Sequence, residues 1–186
     1  MKKILVLCLA AAMILTSFTA CGNNAGSAEG SGQVQEESVK EPALADVAQA
    51  VRDAYGDNYM PDMPMEAEML SSIYSVNMDD VEDFVAESPM ISTHVDTFIA
   101  IKAKEGKGES IEKTLAEYRD YVMNNALNYP MNIAKVQATQ VVRHGDYVFY
   151  VLLGAYDENE NASEEEAAKF AKDQVQIGLD TIASFF

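Results

Sequence analysis

Apolar residues recur along this chain with two different periods. Leu44, Val47, Val51 and Tyr55 follow helical spacing and stop at Gly56, which predicts a short helix. The Met- and Pro-rich stretch Tyr59-Met60-Pro61-Asp62-Met63-Pro64-Met65 reads as a loop, and Glu66 to Tyr74 as a second short helix. Val81 to Glu87, closed by Ser88-Pro89, suits either a strand or a helix, with the strand preferred. Val95 to Ala103, centred on Phe98-Ile99-Ala100-Ile101, reads as a mostly buried one. Ile111, Leu115, Tyr118, Val122 and Ala126 mark an amphipathic helix that stops before Tyr129-Pro130.

Val136 to Arg143 and Tyr147 to Leu153 flank His144-Gly145-Asp146, the pattern of a hairpin. The second of these strands carries bulky apolar residues on both faces. A sheet with one wet face would alternate, so this strand is expected to be central and covered on both sides. Ser163-Glu164-Glu165-Glu166 is a capping box. The helix it opens places Ala167, Ala171, Val175, Leu179, Ile182 and Phe186 on one face. The order is two short helices followed by β-β-α-β-β-α. That predicts a single α+β domain over residues 42–186, with a mainly antiparallel sheet and helices packed on it.

Residues 1–41 read differently. Lys2 and Lys3 precede an apolar run from Ile4 to Leu15, short of the about 20 residues that cross a bilayer as a helix. This is the layout of a secretory signal. Phe18-Thr19-Ala20-Cys21 resembles the lipobox of bacterial lipoproteins, with phenylalanine where leucine is usual. The expectation is removal of residues 1–20 and acylation of Cys21 by palmitate-type chains. The alternative is an ordinary signal cut near Ala20. Gly22 to Glu41 is rich in Gly, Ser, Asn, Ala, Gln and Glu, with almost nothing to bury. It is expected to be a disordered tether behind the anchor. The predicted location is the extracytoplasmic face of the cell membrane, with lipid as the sole anchor.

Charge and cysteine content narrow the chemistry. With 30 acidic against 13 basic residues the formal net charge is −17, and loss of Lys2 and Lys3 makes it more negative. That field repels nucleic acid and anionic headgroups; it is expected to keep the domain soluble beside an envelope, with attraction to cations or basic partners as the alternative. The two cysteines are Cys8, in the signal, and Cys21. The domain therefore has no thiol for a disulfide, a nucleophile or a zinc site.

Four local patterns are candidates for chemistry. His94 and Asp96 would face the same way on a strand and could share a divalent cation, although two ligands fall short of the usual four of zinc. Asp157-Glu158-Asn159-Glu160-Asn161 opens like a calcium loop. Ala162 then stands where glycine is needed, and Ala168 where a bidentate glutamate is needed. Met60, Met63, Met65 and Met69 are thioethers of the kind that bind Cu(I), and equally the kind that fill irregular cores. Tyr55, Tyr59, Tyr74, Tyr147 and Tyr150 could offer a glycan-stacking face or sit in the core. No nucleophile elbow, metalloprotease helix or P-loop is present, and no cofactor is indicated.

Several short motifs together are similar to one family. They are Ser88-Pro89-Met90-Ile91-Ser92-Thr93-His94-Val95-Asp96, Ile101-Lys102-Ala103-Lys104-Glu105-Gly106, Asn128-Tyr129-Pro130 and Gly145-Asp146-Tyr147-Val148-Phe149. They resemble the domain-of-unknown-function family 4358, lipoproteins of Gram-positive, clostridial-type bacteria. The resemblance implies a membrane-anchored extracellular domain and transfers no catalytic residue. The leading expectation is a non-enzymatic accessory lipoprotein that binds an envelope protein or glycan. A carboxylate-based envelope hydrolase and a small-solute or metal-binding lipoprotein are the alternatives.

Overall fold

Helices form where the apolar period is cleanest. The computed structural model describes residues 41–186 apart from residues 92 and 160. Helix α1 (Leu44–Tyr55) buries Leu44, Val47, Val51 and Tyr55 and ends at Gly56. The Met-Pro segment holds a two-residue strand, β1 (Met63–Pro64), and is followed by α2 (Ala67–Ser72). Next come β2 (Val81–Ser88), β3 (Thr97–Ala103) and α3 (Gly108–Asn124). A turn at Pro130–Asn132 leads into α4 (Ile133–Ala138), then β4 (Gln140–His144), β5 (Tyr147–Leu152) and α5 (Glu164–Ala183). The predicted capping box on Ser163 and Glu166 is formed at the start of α5.

The five strands make one antiparallel sheet in the order β1-β2-β3-β5-β4. β3 and β5 are central, and their alternate residues feed two cores. Phe98, Ala100, Phe149 and Val151 pack under α1 and α5. Ile99, Ile101, Val148 and Tyr150 pack against residues of α2 and α3 on the other face. Covering on both faces explains why these strands show no hydrophobic alternation. The α+β architecture expected from the sequence is the one observed.

Two boundaries differ from expectation. Val136 and Ala138 belong to the last turn of α4, and β4 begins at Gln140. Pro130 starts this helical segment well, since proline suits a first turn where its missing N–H is not needed. The apolar residues Val136 and Ala138 then match a helix as well as they match a strand. The Met-Pro loop also pairs, with Met63 opposite Ser88 and Pro64 opposite Glu87 at the sheet edge. An edge is where proline is tolerated in a sheet.

Two turns that look independent in the sequence meet in the fold. No side chain caps the start of α3 from its own N-cap residue. Instead Asp146, in the β4–β5 turn, accepts hydrogen bonds from Gly106 N and Gly108 N, each at 3.0 Å. A Cβ on Gly108 would lie 2.6 Å from Gly145 O, so the two backbones meet closer than any side chain allows. These backbone N–H groups hold the Asp146 carboxyl below its ordinary value. A carboxyl lowered on folding contributes stability above its unfolded pKa, and that contribution is lost as pH falls through the folded one. Asp146→Asn is accordingly expected to flatten the acid side of a melting-temperature profile below about pH 4. An acid limb identical to that of the wild type would show that this clamp does not contribute.

Candidate functional site at the end of the sheet

Three connections meet at one end of the sheet: residues 89–96 after β2, residues 125–139 before β4, and residues 153–163 after β5. Between them and the first turns of α5 lies a cleft of about 800 Å³. Its walls are mainly apolar, with Pro130, Met131, Ala134, Ala162 and Phe170 among them. Thr93, His94, Lys135, Tyr156, Asp157 and Asn159 form its polar side.

Lys135 is the anchor of this region. Its ammonium donates to both Asp96 oxygens, at 2.7 and 2.8 Å, and to Gly154 O at 2.7 Å. All three of its hydrogens are thereby used. Asp96 is fully buried and Lys135 nearly so. Burial pushes the Asp96 carboxyl up and the Lys135 ammonium down, while the charge of each partner opposes the shift. Gly154 reaches this position with φ 130°, a conformation open to glycine.

A second layer covers the pair. The Lys135 ammonium lies 4.1 Å from the centre of the Tyr156 ring, within cation–π range. The Tyr156 hydroxyl donates to Asn132 Oδ1 at 2.9 Å and stands 3.4 Å from His94 Nδ1. Asn132 is fully buried, and its Nδ2 donates to Thr93 O at 2.9 Å. This network stitches the three connections together. Burial, with the Asp96 charge added, pushes the Tyr156 phenol above its usual range, so it stays protonated near neutrality.

The sequence candidates land in different places. His94 and Asp96 precede β3 rather than lying on it. Asp96 turns inward to Lys135, whereas His94 lines the cleft beside Tyr156. Among the described residues no group of three or more His, Cys, Asp or Glu could hold a metal ion. In the acidic loop, Asp157 accepts from Asn159 N and Asn159 from Asn161 N, so these side chains shape the loop. Met65 is buried and Met69 packs against the same core. Tyr55, Tyr74, Tyr147 and Tyr150 are core residues, and Tyr59 is half-buried, hydrogen-bonded to Glu87. No exposed tyrosine platform arises from them. Cys21, the expected lipid attachment site, lies outside the described residues, as do the expected signal (1–20) and all of the expected tether (21–41) except Glu41.

Sequence reading did not find Lys135, Asn132 or Tyr156. Lys135 is a lysine between apolar neighbours, in Ile133-Ala134-Lys135-Val136, which was the signal available. Fold and cleft together define a small α+β domain with a recess at one end of an antiparallel sheet. The chain belongs to the family described as a domain of unknown function (DUF4358), which matches residues 54–153. That span takes in the sheet and the Asp96–Lys135 pair but stops short of Tyr156 and α5. Neither a curated protein nor a solved structure matches the chain.

Proposed function

We propose that this protein is a lipid-anchored, extracytoplasmic binding domain that receives an envelope component in the cleft at the end of its sheet. The observation that carries this reading is the closed state of the only buried ion pair among the described residues. Lys135 has no free hydrogen, and both Asp96 oxygens are engaged. Neither group is placed as a nucleophile or proton-transfer partner, whereas the cleft beside them is roomy and mostly apolar. The pair acts as a rigid floor for a recognition surface.

Glu41 and Pro42 contact Tyr147 and Lys102, at the end of the sheet opposite the cleft. No helix among the described residues is long and apolar enough to cross a membrane. The lipobox-like Phe18-Thr19-Ala20-Cys21 therefore carries the anchoring reading.

Cells fed an alkynyl fatty acid test the anchor. The wild-type chain is expected to take up label and to fractionate with membranes, and Cys21→Ser to do neither. A photo-crosslinking residue at Met131 tests the cleft in the same cells. A discrete adduct is expected, and Ala162→Phe, which fills the cleft, is expected to remove it. An adduct that survives Ala162→Phe, or a wild-type chain without lipid, would sink the corresponding half of the reading.

A further inference from the structure

We infer that the cleft docks a basic segment of a partner protein, held by one bulky apolar side chain inserted between α4 and the start of α5. This deepens the binding-domain reading above and rests on it. The cleft has two unlike rims.

One rim is apolar and unpartnered. Met131 lines the cleft yet is 67 % exposed. Tyr129 at 59 % and Ile133 at 50 % flank it, and Ile91 at 59 % lies in the connection tied to it by the Asn132–Thr93 hydrogen bond. Large apolar side chains concentrated on two adjoining loops mark an interaction surface rather than scattered surface residues. Residues 125–139 contain no acidic residue, and their single lysine, Lys135, is neutralised inside by Asp96.

The other rim carries Asp157, and further exposed carboxylates follow it along the chain. Asp157 and Glu158 are exposed on the loop after β5, and Glu164 and Glu166 on the first turn of α5. Between Arg143 and Lys169 the chain holds no lysine or arginine. A low-dielectric cleft flanked by charge of one sign focuses its field on the opening. The complementary ligand has an apolar side chain for the recess and lysine or arginine beside it.

Charge also discriminates among occupants. A second copy of the chain would bring the same acidic rim and the same net charge of −17, so self-association on this face is opposed. An anionic bilayer is opposed for the same reason. A basic polypeptide is attracted, and its apolar residue finds the recess between the two rims.

The test uses residues 22–186, which contain both cores whole. The probe is a fluorescein-labelled peptide of serine and glycine with one central phenylalanine and four flanking lysines. Saturable binding that weakens with salt is expected. Replacing the lysines by glutamate, or the phenylalanine by serine, should each weaken it by about tenfold or more. On the protein, Ala162→Phe should remove the dependence on phenylalanine. The triple change Asp157→Asn, Glu158→Gln and Glu164→Gln should remove most of the salt dependence. If Ala162→Phe lowers the melting temperature, Met131→Ser tests the same rim from an exposed position.

No binding at about 1 mM peptide overturns the proposal. So does equal affinity for the lysine and glutamate peptides. Dimerisation lost in Met131→Ser would assign the face to a second copy. Sedimentation with phosphatidylcholine or phosphatidylglycerol vesicles would assign it to a bilayer. Either result also overturns the proposal. If the peptide fails while the Met131 adduct in cells still needs an open cleft, the ligand class falls and the binding-domain reading stands.

Discussion

Asp96→Ala should destabilise the domain by about 3–5 kcal/mol, because it leaves the Lys135 ammonium buried without its counter-charge. Lys135→Ala should cost a similar amount by stranding the carboxylate and leaving the buried Gly154 O unpaired. The informative comparison is the double variant Asp96→Leu with Lys135→Met. Taking both charges out of water offsets much of their mutual attraction, so the pair is expected to contribute little net stability. Replacing both groups should recover most of the loss, leaving about 1–3 kcal/mol for the orphaned Gly154 carbonyl. Urea unfolding measures this directly, provided the slope with denaturant is unchanged among variants. Single-variant losses below about 1 kcal/mol would mean that water reaches the pair, which contradicts its burial.

Tyr150→Ala should cost about 3–5 kcal/mol, while Tyr150→Phe should stay within about 1 kcal/mol of the wild type. Tyr150 is 1 % exposed on β5. Its ring centre lies 6.1 Å from those of both Tyr74 and Tyr118, which themselves approach to 4.4 Å. These three rings join α3 and the segment after α2 to the sheet. Removing the central one leaves a cavity that a rigid sheet cannot close. Melting temperatures of the two variants separate packing from a role for the hydroxyl. A similar loss in both would mean that the hydroxyl, not the ring volume, holds this layer together.

The two effects differ in how visible they are from the sequence. Tyr150 sits in Tyr147-Val148-Phe149-Tyr150-Val151-Leu152, whose unbroken apolar character already indicated a strand buried on both faces. Asp96 and Lys135 are 39 residues apart. Nothing local marks either as one half of a pair. Asp96 looked like a partner for His94 because alternation on a strand would align them. The strand starts at Thr97, so that premise fails and the two side chains serve different neighbours. Likewise Asp146 looked like a turn residue, and its role at the start of α3 depends on a contact across 38 residues.

The sequence alone determined the elements whose signals are short in range. The apolar period of α1, α3 and α5, the capping box at Ser163 and the two-faced strand at β5 all depend on residues within a few positions of one another. They were sufficient for the α+β class and the central place of β5. Tertiary structure alone decided the strand order, the start of β4, the burial of Lys135 and the assembly of the cleft from three connections. Each of these depends on which distant segments share a layer. That choice is made by the total packing of the two cores, which no local window of sequence contains.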